Sequence, residues 1–393
     1  MLARTVASLE AAGFERSHLF VDGPLETPDG LPTTRRDTPL GGWPNYWLGL
    51  TELVARHPAA DGFLMVQDDV VFMKGTREFV GRLEIPADAG VLSLFCAACD
   101  NGPFGWHQTE ATFGRAGAQA ILFPRERAFE FLAHPWTVNY RRIRMKPSKH
   151  FRGDGLHHID GVIGEWCRRA GLKVYTHSPS LSQHIGHDSV MYPGFEGKPD
   201  RRFSDSFPGE NASAAELFPR FGADLLAWIQ RGGDPQWAIS GAVWARIAPH
   251  LKPGMRTLET GSGLSTKLFV EAGCRHVSLE HDPAWADQLR QMAPAAGHAL
   301  QVRPLVGDPP WYHWQTNEPF DLVLVDGPPA AIGRGGLLRA LDRLIHPDSI
   351  LVVDDADRPD ERTLCEEIEQ RLGWHAVRSS AGHHGYAIFS RKR

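Results

Sequence analysis

The sequence predicts an α/β protein made of two domains. The chain has 393 residues, which is more than a single hydrophobic core usually organises. In the first half, strand-like apolar segments alternate with helix-like ones, and from residue 256 onward this alternation becomes regular. A regular succession of strands and helices is typical of a parallel sheet covered by helices. We therefore expect one domain at residues 1–205, a connector at 206–235 and a second domain at 236–393.

Composition and charge restrict the classes of partner. Hydrophobic residues make up 42% and charged residues 23% of the chain, as in ordinary globular proteins. The formal net charge of -5 gives no attraction to nucleic acid or to anionic lipid. No apolar run approaches the ~20 residues that cross a bilayer, and the first residues do not have the order of a secretory signal. We expect a cytoplasmic protein whose partners are small molecules or glycans, without nucleic acid and without a membrane span.

The five cysteines are an odd number spread along a long chain, so we expect reduced thiols and no disulfide framework. Cys96 and Cys99 form a Cys-x2-Cys pair, but a zinc site of this type needs a second pair, which the sequence lacks. Buried thiols at a strand end are the simpler interpretation, with a metal or redox role as the alternative.

The elements of the first half follow one another as helix, strand, helix and strand. Helical spacing of apolar residues predicts a helix over 3–13, and "HLFVDGP" then reads as a short buried strand and a turn. After a loop rich in Gly, Pro and Trp, a helix is predicted from about residue 46 to 56. The apolar strand 62–67 runs directly into Asp68 and Asp69. This order predicts an α/β layer.

Asp68 and Asp69 are the first candidate site residues. Two adjacent carboxylates at the end of a buried strand are costly unless a cation or hydrogen bonds compensate their charge. The alternative is a capped strand end, in which one aspartate begins the next turn. Asp160 at a predicted helix start and His184 after the strand "LKVYTH" would complete a metal-diphosphate site with a general base.

These segments resemble the GT-A glycosyltransferases over roughly residues 1–205. The resemblance is carried by the segments "QDDVVF", "GAQAILFPRERA", "HHIDGVIGEWC" and "PSLSQHIGHDS". It implies that Mn or Mg binds Asp69, assisted by Asp68, with His184 as a second ligand. It also implies that Asp160 is the base of an inverting sugar transfer from a nucleotide-sugar donor to a glycan or glycoconjugate acceptor.

A basic stretch at residues 140–152 fits this resemblance, because cationic side chains can offset the charge of a departing diphosphate. The candidates for diphosphate binding are Arg141, Arg144 and Lys149. GT-A domains begin with a strand, whereas this chain begins inside the first helix. We therefore expect either that the start of the protein lies upstream or that the nucleotide pocket is incomplete.

In the second half, acidic residues stand at the predicted carboxyl ends of the strands. The strand segments are "TLET", "HVSLE", "LQVRPLV", "DLVLVD" and "SILVVDD". Ligands of parallel sheets bind outside these ends. The acids at these positions are Glu259, Glu280, Asp326, Asp354 and Asp355.

The first of these strands leads into Glu259-Thr-Gly261-Ser-Gly263 and then into a helix. Glycines at such a turn let the backbone approach a ligand at the helix N-terminus. Glu280 ends the next strand, where a carboxylate can bind the two hydroxyls of a ribose. Glu259 would repel the pyrophosphate of NAD but suits the ammonium group of a methionine. Thr266 occupies the place of the third glycine of the dinucleotide motif, which also disfavours NAD.

Residues 240–393 resemble the class I S-adenosylmethionine (SAM) methyltransferases, which have a Rossmann-like fold. The resemblance is carried by "LETGSGLST", "VSLEHDPAW", "DLVLVDGPP" and "ILVVDDADR". It implies that Glu259, Gly261 and Gly263 hold the methionine part of SAM. It further implies that Glu280 binds the ribose, that Asp308 lies on the adenine side, and that Asp326 lies beside the sulfonium as a catalytic residue.

Two further interpretations concern the same half. The acids Asp326, Asp354 and Asp355 resemble the metal cluster of catechol-type O-methyltransferases, in which a divalent cation lowers the pKa of the acceptor hydroxyl. The segment "DPPWY" at residues 308–312 imitates an amino-methyltransferase motif, but it precedes the strand that it should follow, so we interpret it as unrelated to catalysis.

The leading hypothesis is a bifunctional enzyme that transfers a sugar and then methylates a hydroxyl with SAM. Tethering two activities raises the local concentration of one product near the second site. One alternative is an active glycosyltransferase whose methyltransferase-like domain is degenerate and serves as a binding or scaffold module. Another is a carbohydrate-binding protein in which neither site is active.

Overall fold

The computed structural model describes residues 1–24, 27, 30–97, 102–109, 117–138, 159–186, 203–378 and 385–391. The chain divides into two units, Met1–Ala215 and Glu216–Arg393. The division lies inside the 206–235 segment that the sequence suggests as a connector, and much of that segment is a helix, α7 (Ala214–Gln230). Cys99 falls outside the described residues, whereas Cys96 is buried.

The first unit combines six helices of the described chain with nine short strands. The helices are α1 (Leu2–Ala11), α2 (Gly42–Arg56), α3 (Thr76–Val80), α4 (Arg125–Ala133), α5 (Pro135–Val138) and α6 (Ile159–Ala170). The strands are β1 (Leu19–Val21), β2 (Thr33–Arg35), β3 (Gly62–Val66), β4 (Val70–Phe72), β5 (Ala89–Ser93), β6 (Gly105–Thr109), β7 (Ala120–Pro124), β8 (Lys173–Ser178) and β9 (Ser182–His184).

A mixed five-stranded sheet of order β3-β7-β5-β8-β6 forms the centre of the first unit. Only β5 and β8 run parallel, while the other neighbours are antiparallel. Aromatic side chains of α2, α4 and α6 pack together on the sheet, with the Phe131 ring 5.9 Å from Trp43 and 5.0 Å from Trp166. Two small sheets, β1-β2 and β4-β9, complete the unit. The predicted α/β layer is therefore present, with a mixed sheet.

The second unit begins with most of α7 and contains a larger sheet. Its other helices are α8 (Gly241–Ile247), α9 (Leu264–Glu271), α10 (Pro283–Met292), α11 (Leu341–Leu344) and α12 (Pro359–Leu372). Its strands are β10 (Arg256–Thr260), β11 (Arg275–Glu280), β12 (Leu300–Val302), β13 (Leu305–Val306), β14 (Trp311–Tyr312), β15 (Phe320–Val325), β16 (Ile345–Asp354), β17 (His375–Arg378) and β18 (Tyr386–Ser390).

The large sheet has seven strands in the order β12-β11-β10-β15-β16-β18-β17. Its first five strands are parallel, and β18 runs antiparallel between β16 and β17. The half that begins at β10 therefore has the Rossmann-like arrangement that the sequence predicts. The inserted antiparallel strand distinguishes this sheet from the 3-2-1-4-5-6 order of dinucleotide-binding domains.

One predicted strand is divided in two. The segment "LQVRPLV" forms β12 in the large sheet and then β13, which pairs antiparallel with β14 in a separate hairpin. Pro304 lies at the break and has no N–H to donate to the sheet, so the chain leaves the sheet there. Its carbonyl accepts a hydrogen bond from the His313 N–H at 2.8 Å instead. The single-strand prediction was wrong at this proline.

Helix α7 packs within the second unit through polar and aromatic contacts. Trp228 is only 3% exposed, and its ring lies 6.2 Å from that of Trp285 on α10. Asp224 accepts a hydrogen bond from the Lys267 ammonium on α9. The Arg231 guanidinium, just after the helix, donates to the Met292 carbonyl at 2.6 Å. The second unit therefore begins about twenty residues before the predicted boundary at residue 236.

Candidate active site

The carboxyl ends of β10, β11, β15 and β16 bring together the acids that the sequence singles out in the second half. Glu259 and Glu280 lie at the ends of β10 and β11, which are paired in parallel. Asp326 directly follows β15, and Asp354 and Asp355 are at the end of β16. Because neighbouring parallel strands end at the same edge, all five carboxyl groups belong to one edge of the sheet.

Glu259 is fully buried, and only one of its carboxylate oxygens has a donor. Its Oε1 atom accepts hydrogen bonds from the Thr266 hydroxyl and, at 2.7 Å, from the Ser278 hydroxyl. No donor reaches Oε2. A buried carboxylate oxygen without a partner is costly, so this atom marks a position where a cationic or N–H group of a ligand would be stabilised.

Gly261 lets the turn after β10 come into contact with the turn after β15. Its φ of +76° lies in the left-handed region that favours glycine. A Cβ at this position would approach the carbonyl of Asp326 and the nitrogen of Gly327 to 3.1 Å. Gly263 is different, since a Cβ there would meet only the Trp237 carbonyl at 3.8 Å. The backbone geometry therefore requires glycine at 261 but not at 263.

Glu280 joins the turn after β10, which contains Gly261 and Gly263, to the loop that follows β11 through hydrogen bonds. Its Oε1 accepts the main-chain N–H groups of His281 and Asp282 at 2.7 and 2.9 Å. Its Oε2 accepts the Ser262 N–H at 3.1 Å and the Ser262 hydroxyl at 2.9 Å. These four donors fill the roughly four lone-pair sites of a carboxylate. A ribose hydroxyl can therefore bind Glu280 only if the rotatable Ser262 hydroxyl turns away.

Asp326, Asp354 and Asp355 surround an arginine that the sequence analysis did not single out. Arg334 is 2% exposed, and its Nη2 atom lies 2.8 Å from Asp355 Oδ2 and 3.4 Å from Asp326 Oδ1. Its other N–H groups donate to main-chain carbonyls at 2.5 to 3.4 Å, namely those of Val325, Asp326, Pro328 and Asp354. A guanidinium thus lies among the aspartates predicted to bind a divalent cation. No group of three acidic, His or Cys side chains in the described part of the chain is arranged to hold a metal ion, so the geometry does not support the metal site predicted at these aspartates.

The environment of Asp326 alters its proton affinity. The pKa of this carboxyl lies well above its ordinary value because burial desolvates it and because Asp354 lies nearby, although Arg334 opposes the shift. About a quarter (26%) of the side chain still remains open to solvent. A carboxyl with a raised pKa that an incoming molecule can reach is a candidate for proton transfer.

Asp308 and Tyr312 come from the β13-β14 hairpin. Asp308 is exposed in the turn between these strands, so its predicted place beside the adenine stays a prediction. The buried Tyr312 hydroxyl lies where a Cβ on Gly327 would come within 2.7 Å of it. Tyr312 thus supports the contact between the two turns. The segment "DPPWY" thus ends at a tyrosine that packs beside Gly327, and its interpretation as unrelated to catalysis stays a prediction.

In the first unit, the structure brings Asp69 and His184 together. Asp69 directly precedes β4, and His184 is the last residue of β9, which pairs with β4. Asp69 Oδ2 lies 2.9 Å from His184 Nε2. Asp69 Oδ1 and His184 Nδ1 are buried without hydrogen-bond partners. Asp68 is exposed. The two adjacent aspartates therefore face different surroundings, and only Asp69 meets the predicted histidine.

The structure gives fewer contacts for the other site residues predicted in this unit. Asp160 lies in the first turn of α6, where its Oδ1 accepts the N–H of Gly161 at 2.8 Å. The candidates for diphosphate binding, Arg141, Arg144 and Lys149, lie outside the described residues. In the part of the chain that the structure describes, no three His, Cys, Asp or Glu side chains are grouped to hold a metal ion. The described geometry therefore does not support the Mn or Mg site predicted at Asp68, Asp69 and His184.

No protein-family model and no curated protein matches the chain. Solved structures of three methyltransferases are similar to part of it. A TehB-like SAM-dependent methyltransferase from Corynebacterium glutamicum is 16% identical, with 45% of this chain and 99% of that chain covered and a TM-score of 0.30. The O-methyltransferase TomG from Streptomyces achromogenes, in complex with SAM, is 18% identical, with coverages of 43% and 87% and a TM-score of 0.30. The methyltransferase PaMTH1 from Podospora anserina, bound to SAH, is 17% identical, with coverages of 45% and 96% and a TM-score of 0.34.

Among the described residues, no helix has the length and apolar character needed to cross a membrane.

Proposed function

We propose that the second unit binds S-adenosylmethionine and transfers its methyl group to a hydroxyl of an acceptor. The observation that carries this proposal is the buried Oε2 atom of Glu259, which has no donor and lies at the carboxyl end of the first strand of the large sheet. Such an atom fits an ammonium group, as in the methionine part of SAM, and disfavours a pyrophosphate. Gly261 supports the same assignment, since its lack of a Cβ lets the turn that follows Glu259 pack directly against the backbone of Asp326 and Gly327.

The remaining residues divide the binding between them. Glu280 would hold the ribose once the Ser262 hydroxyl rotates away, because the carboxylate then has room for one new donor on Oε2. The N-terminus of α9, which follows Gly263, would contribute a favourable field for the methionine carboxylate. Asp308 would lie toward the adenine, as the sequence resemblance implies.

SAM supplies an electrophilic methyl group on a sulfonium. The protein has to orient an acceptor hydroxyl and take up its proton as the oxygen forms its new bond. We assign proton uptake to Asp326, whose raised pKa makes it a stronger base than an ordinary aspartate. Arg334 keeps the neighbouring carboxylates compensated. In the bifunctional enzyme that we propose, the methyl acceptor is a hydroxyl of a sugar or glycoconjugate.

Calorimetric titration of the full chain with S-adenosylhomocysteine and with NAD tests this function. We expect saturable binding of S-adenosylhomocysteine and no saturable binding of NAD. Glu259→Gln should weaken the former by about 1.5 to 3 kcal/mol, which is the contribution of a hydrogen bond to a charged group. Saturable binding of NAD alone would refute the assignment. Absence of binding by either ligand would favour the alternative of a degenerate domain that serves as a scaffold.

A second candidate function, transfer of a sugar from a nucleotide-sugar donor, concerns the first unit. It is favoured by the contact between Asp69 and His184, each of which keeps one buried atom without a hydrogen-bond partner. Two polar side chains that meet in this way at the ends of paired strands are typical of a ligand site. Asp160 would serve as the base for the acceptor hydroxyl.

Titration of the full chain with UDP and GDP, with and without Mn, tests this candidate. Asp69→Asn should weaken nucleotide binding by about 1 to 3 kcal/mol, whereas the matched control Asp68→Asn should have little effect because Asp68 is exposed. Asp160→Asn should abolish sugar transfer and leave donor binding intact, since a general base acts on the acceptor proton. Equal effects of the two neighbouring aspartate variants would contradict the role of Asp69.

A further inference from the structure

Arg334 and the oxygens around it form a cluster at the ends of β15 and β16 that has the ligand chemistry of a cation site. We propose that the Arg334 guanidinium is the permanent cation of this cluster, that it excludes divalent metal ions, and that its removal converts the cluster into a metal site. The proposal concerns the cation requirement of the proposed methyl transfer, but metal binding can be measured whether or not SAM binds.

The first argument is that the guanidinium is completely engaged. Nε donates to Pro328 O at 3.2 Å, and Nη1 donates to Asp354 O at 2.5 Å and to Val325 O at 3.4 Å. Nη2 donates to Asp326 O at 2.7 Å and to Asp355 Oδ2 at 2.8 Å. All five N–H groups of an arginine are thus used, and a metal ion could enter only by displacing a fully bonded, buried cation.

The second argument is the charge around the guanidinium. Four carboxyl groups surround it, with Glu361 Oε1 at 3.9 Å from Nε in addition to the three aspartates. Arg358, which is 37% exposed, shares Asp355 Oδ2 with Arg334 at 2.8 Å. Among the described residues, the cluster therefore contains four acids and two arginines, and loss of Arg334 would remove the guanidinium that contacts Asp326 and Asp355. Carboxylate and carbonyl oxygens are the ligands that hard divalent cations prefer.

The experiment compares the thermal unfolding of the full chain in EDTA and in Mn²⁺, with Asp69→Asn as the common background so that the first unit does not contribute. In this background with Arg334 intact, Mn²⁺ should cause no saturable rise in Tm. Arg334→Ala should lower Tm in EDTA, and Mn²⁺ at about a hundred times its dissociation constant should raise it by about 5 to 10 °C. Adding Asp355→Asn to Arg334→Ala should remove most of this response.

Arg358→Ala is the matched control, because it takes an arginine from the same Asp355 oxygen but leaves Arg334 in place. It should show no response to Mn²⁺. A folded Arg334→Ala protein that ignores Mn²⁺ would overturn the proposal. If Arg334→Ala does not fold, electron paramagnetic resonance of Mn²⁺ with the Arg334-containing protein decides instead: binding that Asp355→Asn abolishes overturns the proposal, and no such binding supports the exclusion of metal. Failure of S-adenosylhomocysteine to bind would affect the proposed function alone.

Discussion

At the scale of single residues, Glu280 has a structural role at the position where we propose that a ribose binds. Its carboxylate accepts hydrogen bonds from the Ser262 hydroxyl and from three main-chain N–H groups, so its replacement would affect the turn at Ser262 as well as the proposed ligand contact. A comparison of two variants separates these effects. In the proposal, the Ser262 hydroxyl competes with the ribose for the carboxylate.

We predict that Glu280→Ala weakens S-adenosylhomocysteine binding by about 1.5 to 3 kcal/mol, since charge-assisted hydrogen bonds to the ribose are lost. Ser262→Ala should leave the affinity unchanged or slightly higher, because a competing donor is removed. Isothermal titration calorimetry of both variants measures this. A loss of affinity in Ser262→Ala as large as that in Glu280→Ala would show that the turn, rather than the ribose contact, depends on Glu280.

His177 gives a prediction about pH. It is fully buried, its Nδ1 donates to the Pro179 carbonyl at 2.7 Å, and Phe79, Phe104 and Trp106 contact its ring edge to face. Burial lowers its pKa from 6.5 to about 4. As the pH falls, the unfolded chain therefore takes up a proton before the folded one does. The contribution of neutral His177 to stability is complete above about pH 6.5 and is lost between that pH and about 4.

Between pH 7.5 and 4.5, His177 should account for a loss of about 2 to 3 kcal/mol in the free energy of unfolding. His177→Gln should be less stable than the natural protein at pH 7.5 but should lose less stability on acidification. Chemical denaturation of both proteins at the two pH values measures the difference. Identical losses in the two proteins would mean that His177 does not titrate in this range.

The sequence predicts which acids lie together at one edge of the large sheet, but it does not predict which residue lies among them. Glu259, Glu280, Asp326, Asp354 and Asp355 could be predicted because each stands at the end of an apolar strand, and strand ends meet at one edge. Arg334 could not be predicted, because it lies in a segment without periodicity and its burial depends on where the loop after β15 passes. Arginine is seldom fully buried, and no local sequence pattern predicts which arginine will be.

At the scale of elements, α7 is the clearest case in which packing extends a unit beyond its sequence pattern. The alternating strands and helices begin only at β10, so the sequence pattern predicts a domain start at residue 236. Trp228 and Asp224 nevertheless connect α7 to α10 and α9. A fragment that starts at residue 236 lacks both contacts.

We predict that a fragment of residues 213–393, which keeps all of α7, is more stable than one of residues 236–393. The difference should be about 3 kcal/mol or more, the scale of losing one buried tryptophan. Urea denaturation followed by circular dichroism measures it, and S-adenosylhomocysteine binding by the longer fragment reports an intact site. Equal midpoints and slopes for the two fragments would show that α7 adds nothing to the stability of the second unit.

At the scale of the whole molecule, the sequence by itself determined the two α/β units and the strands that carry the acids. Those features follow from periodicity and from residue type, which are local properties of the chain. Only the tertiary structure decided that β18 inserts antiparallel beside β16, that α7 joins the second unit, and that Arg334 occupies the acidic cluster. Each of these depends on contacts between segments far apart in sequence. The free energy of such contacts cannot be predicted from the residue pattern of either segment alone.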